Sequence, residues 1–78
     1  MSGELVGLIV FDSHYLAFQS ESILRRVQVD FPFRMVTAPR HLAINCDYAL
    51  EVPSDKLGII RATLEAAGLT RGLSYYTI

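Results

Sequence analysis

A chain of 78 residues is long enough for one domain, and a composition of 51% hydrophobic and 19% charged residues predicts a packed core rather than disorder. The formal net charge is -1 and Lys56 is the only lysine, so the basic patch of a nucleic-acid-binding protein is not expected. The single cysteine, Cys46, excludes a disulfide within the chain, and no stretch approaches the roughly 18 apolar residues of a membrane span. Glu4 stands where a signal peptide would carry positive charge. We therefore expect one domain over residues 1–78, located in the cytoplasm.

The first half of the chain predicts a strand, a helix and a second strand. The apolar run over residues 5–11 has the length and β-branched content of a buried strand. Asp12 or Ser13 can cap a helix that runs from residue 14 to about residue 29. The inward stripe of this helix consists of Leu16, Ala17, Ser20, Ile23, Leu24 and Val27. After a break that contains a proline, residues 33–38 predict a second strand.

The outward side of this first helix carries one aromatic residue and one charge pair. Glu21 and Arg25 are four residues apart in the favourable order for an ion pair. Phe18 has two interpretations. Its ring packs against a neighbouring loop, or it is an exposed contact for a partner or a second subunit.

The second half of the chain repeats the pattern of strand, helix and strand. Residues 48–52 alternate in the manner of a half-buried strand, and Ser54 is the expected cap of the second helix. The inward stripe of that helix consists of Leu57, Ile60, Leu64 and Ala67. Gly68 suits the left-handed position that ends a helix, and residues 73–78 predict the last strand.

The predicted order of elements is β-α-β-β-α-β. This order is typical of an α+β, ferredoxin-like sandwich, in which an antiparallel sheet carries both helices on one face. Enzymes, metal carriers and regulatory domains all use this fold, so it leaves the function open.

The segment between the two halves contains the residues with the most distinctive chemistry. Cys46 is the only thiol, and a thiolate is favoured by nearby cations, which Arg40 or His41 can supply if the loop curls back. Asp47 acts in the opposite direction, because a carboxylate disfavours a second negative charge beside it.

A structural role for Cys46 is the alternative to a reactive one. Free cysteines are often buried as small hydrophobic residues, and Cys46 has the same strand parity as Tyr48 and Leu50, which places it on the core side if the strand begins early. His14, His41 and Cys46 have no recognised metal-ligand spacing. We therefore expect no metal and no cofactor.

Two motifs connect the chain with a known family. The first consists of Phe11, Ala17, Glu21 and Leu24. The second is Pro39-Arg40, followed by a short loop, Cys46 and the apolar strand that begins at Tyr48. With these motifs the chain resembles, over nearly its whole length, the selenium/sulfur carrier-like family of small bacterial and archaeal proteins. Where members of that family have a serine-rich loop and a glycine after the cysteine, this chain has Ala43-Ile44-Asn45 and Asp47.

The resemblance implies a carrier that works with partner proteins rather than an independent enzyme. Cys46 would accept sulfur or selenium as a persulfide or perselenide and pass it to an acceptor. Arg40 would favour the thiolate, and Asn45 would orient the loop. The alternative is a non-catalytic interaction module with a structural cysteine, such as a homodimer joined through its sheet edges or through Phe18.

Overall fold

The computed structural model describes residues 5–43 and 45–78, so Glu4 and Ile44 lie outside the described residues. Within these ranges the chain forms four strands and two α-helices. Their bounds are β1 Val6–Phe11, α1 His14–Arg26, β2 Arg34–Thr37, β3 Tyr48–Pro53, α2 Leu57–Ala66 and β4 Leu73–Thr77. A single 3-10 turn, Ser54–Lys56, leads from β3 into α2. No helix in the described part of the chain is long and apolar enough to cross a membrane.

The four strands form one sheet in the order β2-β3-β1-β4, and every neighbouring pair is antiparallel. The two central strands pair from Val6 with Pro53 to Val10 with Ala49. The shorter β2 and the C-terminal β4 are therefore the edges. The expectation of an α+β domain with an antiparallel sheet and two helices is confirmed.

Successive residues of β1 point to opposite faces of the sheet and enter two separate clusters. The cluster on the helix side, called here the main core, contains Ile9, Phe11, Ala17, Ile23, Leu24, Cys46, Leu50, Val52, Ile60, Leu64 and Leu69. The second core, on the other side, contains Leu8, Val10, Ala38 and Ala49, with Val36, Leu42 and Ala43 packed against it. Because residues of α1 and of α2 both belong to the main core, both helices pack on the same face of the sheet.

Helix α1 begins as the sequence predicts and ends earlier. The Ser13 side chain accepts a hydrogen bond from the Leu16 N–H at 3.2 Å, so Ser13 is the cap. The chain leaves the helix after Arg26, and Gln28 has a left-handed φ of 56°. The prediction that Val27 belongs to the buried inward stripe is wrong: Val27 is the C-cap residue at the end of the helix, and its side chain is 51% exposed.

Helix α2 starts without the predicted side-chain cap. Ser54 lies in the 3-10 turn, and no side-chain hydrogen bond caps this turn or α2. The backbone carbonyl of Ser54 instead accepts the N–H of Leu57, so one turn runs directly into the next. The prediction of Ser54 as the cap is therefore wrong, because backbone hydrogen bonds replace the hydroxyl.

The C-terminus of α2 follows the sequence prediction closely. Gly68 has a left-handed φ of +94°, and its N–H bonds to the Glu65 carbonyl at 2.9 Å. The Leu69 N–H bonds to the Leu64 carbonyl at 2.9 Å, which completes a Schellman motif. Ala67, predicted to face inward, is the exposed C-cap residue instead.

Candidate functional site

Cys46 lies just before β3 and its side chain is 2% exposed. It belongs to the main core, as its parity with Tyr48 and Leu50 predicts. Since Val10 pairs with Ala49 and β1 ends at Phe11, the register places Cys46 beyond the end of β1, beside the turn into α1. The thiol is therefore free but enclosed by protein.

The backbone of Tyr48 holds the Cys46 sulfur on two sides. The Tyr48 N–H donates a hydrogen bond to Sγ at 3.4 Å, and the thiol donates to the Tyr48 carbonyl at 3.7 Å. The thiol thus closes a small ring with the first residue of β3. Only the first of these bonds survives when the sulfur becomes an anion, because a thiolate has no proton to donate.

The side chain of Tyr48 is packed between two rings of α1. The His14 ring lies edge-on at 5.3 Å between centroids, with an interplanar angle of 81°. The Phe18 ring lies at 5.7 Å with an angle of 53°. These three residues are called here the aromatic cluster. Phe18 is 51% exposed while its ring contacts the start of β3, so it combines a packing contact with exposure to solvent.

The predicted loop residues lie on the other side of the sheet from the main core. Leu42 and Ala43 donate backbone hydrogen bonds to the Pro39 carbonyl at 2.9 and 3.0 Å, and this turn packs against the second core. Arg40 and His41, within the turn, are exposed. Ala43 therefore packs on one face of the sheet and Cys46 on the other.

Arg40 and the two residues that follow the cysteine line the same open depression. Its volume is about 550 Å³, and its walls include Arg40, Asp47 and Tyr48. Asn45, exposed, immediately precedes Cys46. The roles expected of Arg40 and Asn45 toward the thiol remain predictions.

A second depression, of about 560 Å³, lies at the opposite end of β3 from Cys46. It includes Val52 and Pro53 and the exposed ion pair in which Arg34 Nε lies 2.8 Å from Glu51 Oε1. The sequence did not indicate this cleft, because its walls come from the ends of three strands. Among the described residues, no group of three or more histidine, cysteine, aspartate or glutamate side chains is placed to hold a metal ion.

A family model described as "Putative Se/S carrier protein-like" matches residues 6–73. The chain belongs to this family. The match confirms the resemblance drawn from the Pro39-Arg40 and Cys46 motif, and it spans every element from β1 to the first residue of β4. No curated protein and no solved structure matches the chain.

In this member of the Se/S carrier-like family, the sequence located the cysteine and offered its inward orientation as one alternative, but it missed the aromatic cluster. His14 and Phe18 are four residues apart on one helix and were recognisable as neighbours. Their contact with Tyr48 depends on how α1 crosses β3, and no local pattern carries that information.

Proposed function

We propose that this chain carries sulfur or selenium on Cys46. The observation that supports the proposal is the family match over residues 6–73, a range that contains the only cysteine of the chain. A carrier needs one nucleophilic sulfur that can be loaded and unloaded. Cys46 is the sole side chain able to fill this role through a persulfide.

The transfer chemistry is balanced without an added oxidant. The Cys46 thiolate attacks the outer sulfur of a donor protein's persulfide, forming a new S–S bond while the donor leaves as its own thiolate. A nucleophile on an acceptor protein then attacks the outer sulfur held on Cys46. The bond to that sulfur breaks, and the Cys46 thiolate is regenerated.

Burial of the loaded group is useful to a carrier. An outer sulfur held away from solvent is protected from stray thiols, which would otherwise remove it. Arg40, which lines the same depression as Asp47 and Tyr48, favours the anionic form of the sulfur once the thiol is exposed, and Asn45 orients the backbone that leads into Cys46. The partners are therefore donor and acceptor proteins, and a reducing cytoplasm keeps the thiol unpaired.

We also infer that the domain has the ferredoxin-like arrangement. The support is the element order β-α-β-β-α-β together with the strand order β2-β3-β1-β4, in which each helix links two strands separated by one other strand.

The test is to expose the protein to a cysteine desulfurase with cysteine and to measure its intact mass. Wild type should gain about 32 Da, the mass of one sulfur atom, and Cys46→Ala should gain nothing. Arg40→Gln should load more slowly by up to about fivefold, because an exposed charge contributes less than about 1 kcal/mol. Arg26→Gln, another exposed arginine, is the matched control and should load at the wild-type rate. Selenocysteine as the source should add one selenium atom instead.

Absence of loading, under conditions that load a known carrier, would contradict the proposal. The hypothesis of a non-catalytic interaction module would then be favoured. Light scattering on wild type and Phe18→Ser, which measures the oligomeric state, would test it. Its supporting features are the two free sheet edges, β2 and β4, and the exposed rings of Tyr15 and Phe18 on α1.

A further inference from the structure

Because Cys46 is buried, the proposed transfer of sulfur requires that the thiol first become exposed. A side chain that is 2% exposed is out of reach of a persulfide on another protein. Some part of the structure must therefore open before transfer. We propose that Tyr48 is the latch of this opening: its ring, held by His14 and Phe18, keeps the Cys46 thiol buried, and release of the ring exposes the thiol. This inference rests on the proposed carrier function of Cys46.

The first support is the direct link between Tyr48 and the sulfur. Both hydrogen bonds recorded for Sγ run to the backbone of Tyr48, at 3.4 and 3.7 Å. These bonds couple the position of the thiol to the backbone of the first residue of β3. Tyr48 is a positioning residue, since it acts through Cys46 rather than on a transferred sulfur.

The second support is the position of Tyr48 near the end of the sheet. Its partner in the ladder is Thr37, the last residue of the four-residue edge strand β2, and one further backbone bond, from the Ala38 N–H to the Asp47 carbonyl at 2.7 Å, closes this strand pair. On the other side, the pairing with β1 begins only at Ala49. Strand ends of this kind open locally at a lower free energy than the centre of a sheet. The ring contacts with α1 add to these few backbone bonds in holding this end closed.

The third support is the exposure of the aromatic cluster. Tyr48 is 38% exposed and Phe18 is 51% exposed, so the rings can separate into solvent without disturbing Leu50 or Phe11, which are fully buried. A docking protein can reach these rings while the thiol is still enclosed. Opening at Tyr48 thus moves one strand end and leaves the main core in place.

The test measures how fast a small alkylating reagent modifies Cys46 in the folded protein. Tyr48→Ala should raise this rate about tenfold, which corresponds to about 1.4 kcal/mol, because it removes both ring contacts. Tyr48→Phe keeps the ring and should restore the wild-type rate. Tyr76→Ala is the matched control, since Tyr76 is 36% exposed and lies on β4, and it should leave the rate unchanged.

Denaturant separates opening of the latch from unfolding of the whole domain. Alkylation through a local opening should depend only weakly on urea, whereas alkylation through global unfolding follows the full unfolding transition. If Tyr48→Ala does not fold, Phe18→Ala removes one of the two ring contacts without touching β3 and should raise the rate by a smaller factor. Rates that rise equally in Tyr76→Ala, or that follow global unfolding in every variant, would overturn the latch.

The alkylation rate reports exposure of the thiol and does not depend on persulfide chemistry. A faster rate in Tyr48→Ala with no mass gain from the desulfurase would support the latch and contradict the carrier. A mass gain in wild type with equal alkylation rates in all variants would support the carrier and contradict the latch.

Discussion

Replacing Gly7 with alanine tests how closely α2 approaches the sheet. A Cβ at Gly7 would lie 2.7 Å from Leu57 Cγ, 2.8 Å from Cδ2 and 3.0 Å from Cδ1. Carbon atoms at rest are about 3.5–4.0 Å apart, so Leu57 or the whole start of α2 must shift. Overpacking of this kind costs about 1–3 kcal/mol. Alanine in place of glycine also stabilises a strand by about 0.5–1 kcal/mol, because alanine loses less backbone entropy on folding.

The net expectation for Gly7→Ala is a loss of about 1 kcal/mol in the free energy of unfolding, within the range of about 0–2.5 kcal/mol that the difference of these two effects spans. In a domain of this length a loss of about 1 kcal/mol corresponds to a Tm lower by roughly 4–8 °C. Urea denaturation monitored by circular dichroism measures the free energy directly. The slope of the transition should be the same as in wild type, since Gly7→Ala does not change how much surface unfolding exposes.

Gly58→Ala is the matched control, one residue beyond Leu57. A Cβ at Gly58 meets no heavy atom within 4 Å, and the residue lies within α2. Alanine should therefore stabilise the protein by about 0.5–1 kcal/mol through helix propensity alone. The double variant Gly7→Ala with Leu57→Ala should lose less than the sum of the two single changes, because the clash disappears with the leucine. A Gly7→Ala variant that is stabilised as much as Gly58→Ala, or a loss of equal size at Gly58, would refute the close approach.

Two further predictions concern Tyr75 and the cap of α1. Burial raises the pKa of Tyr75 above its usual 10.0, while Arg61 lowers it in part and Glu65 adds to the increase. The unfolded chain therefore loses this proton first, and stability should fall as the pH rises from about 10 through the folded pKa. Tyr75→Phe should remove this loss of stability at high pH without lowering stability at neutral pH, since the buried hydroxyl has no hydrogen-bond partner among the described residues. Urea denaturation at neutral pH and above about pH 10 measures the free energy of unfolding in wild type and variant. The same pH dependence in both proteins would contradict the prediction. Ser13→Ala should lower the free energy of unfolding by about 1 kcal/mol. Ser13→Asp keeps an acceptor for the Leu16 N–H and should lower it little in the same assay. Equal losses in the two variants would argue against Ser13 as the cap.

The ends of the helices were largely predictable from short-range chemistry. The sequence offered Asp12 or Ser13 as the first cap and Gly68 as the end of α2, because a cap oxygen and a left-handed glycine act within one turn. The prediction of Ser54 as a cap was wrong, because a 3-10 turn supplies a backbone bond in its place. The burial predicted for Val27 was wrong although its N–H still bonds to the Ile23 carbonyl, because helical period gives the direction of a side chain and not how far the core extends along the helix.

The sequence by itself determined the order of the elements and the family, since hydrophobic period and short motifs are local properties, and strand parity offered an inward Cys46 as one of two alternatives. The tertiary structure alone decided what surrounds that thiol. The contact of Tyr48 with His14 joins residues 34 positions apart, and Leu42 and Ala43 pack on the face of the sheet opposite the main core. These arrangements depend on strand register and helix crossing, which only the packing of the whole chain sets.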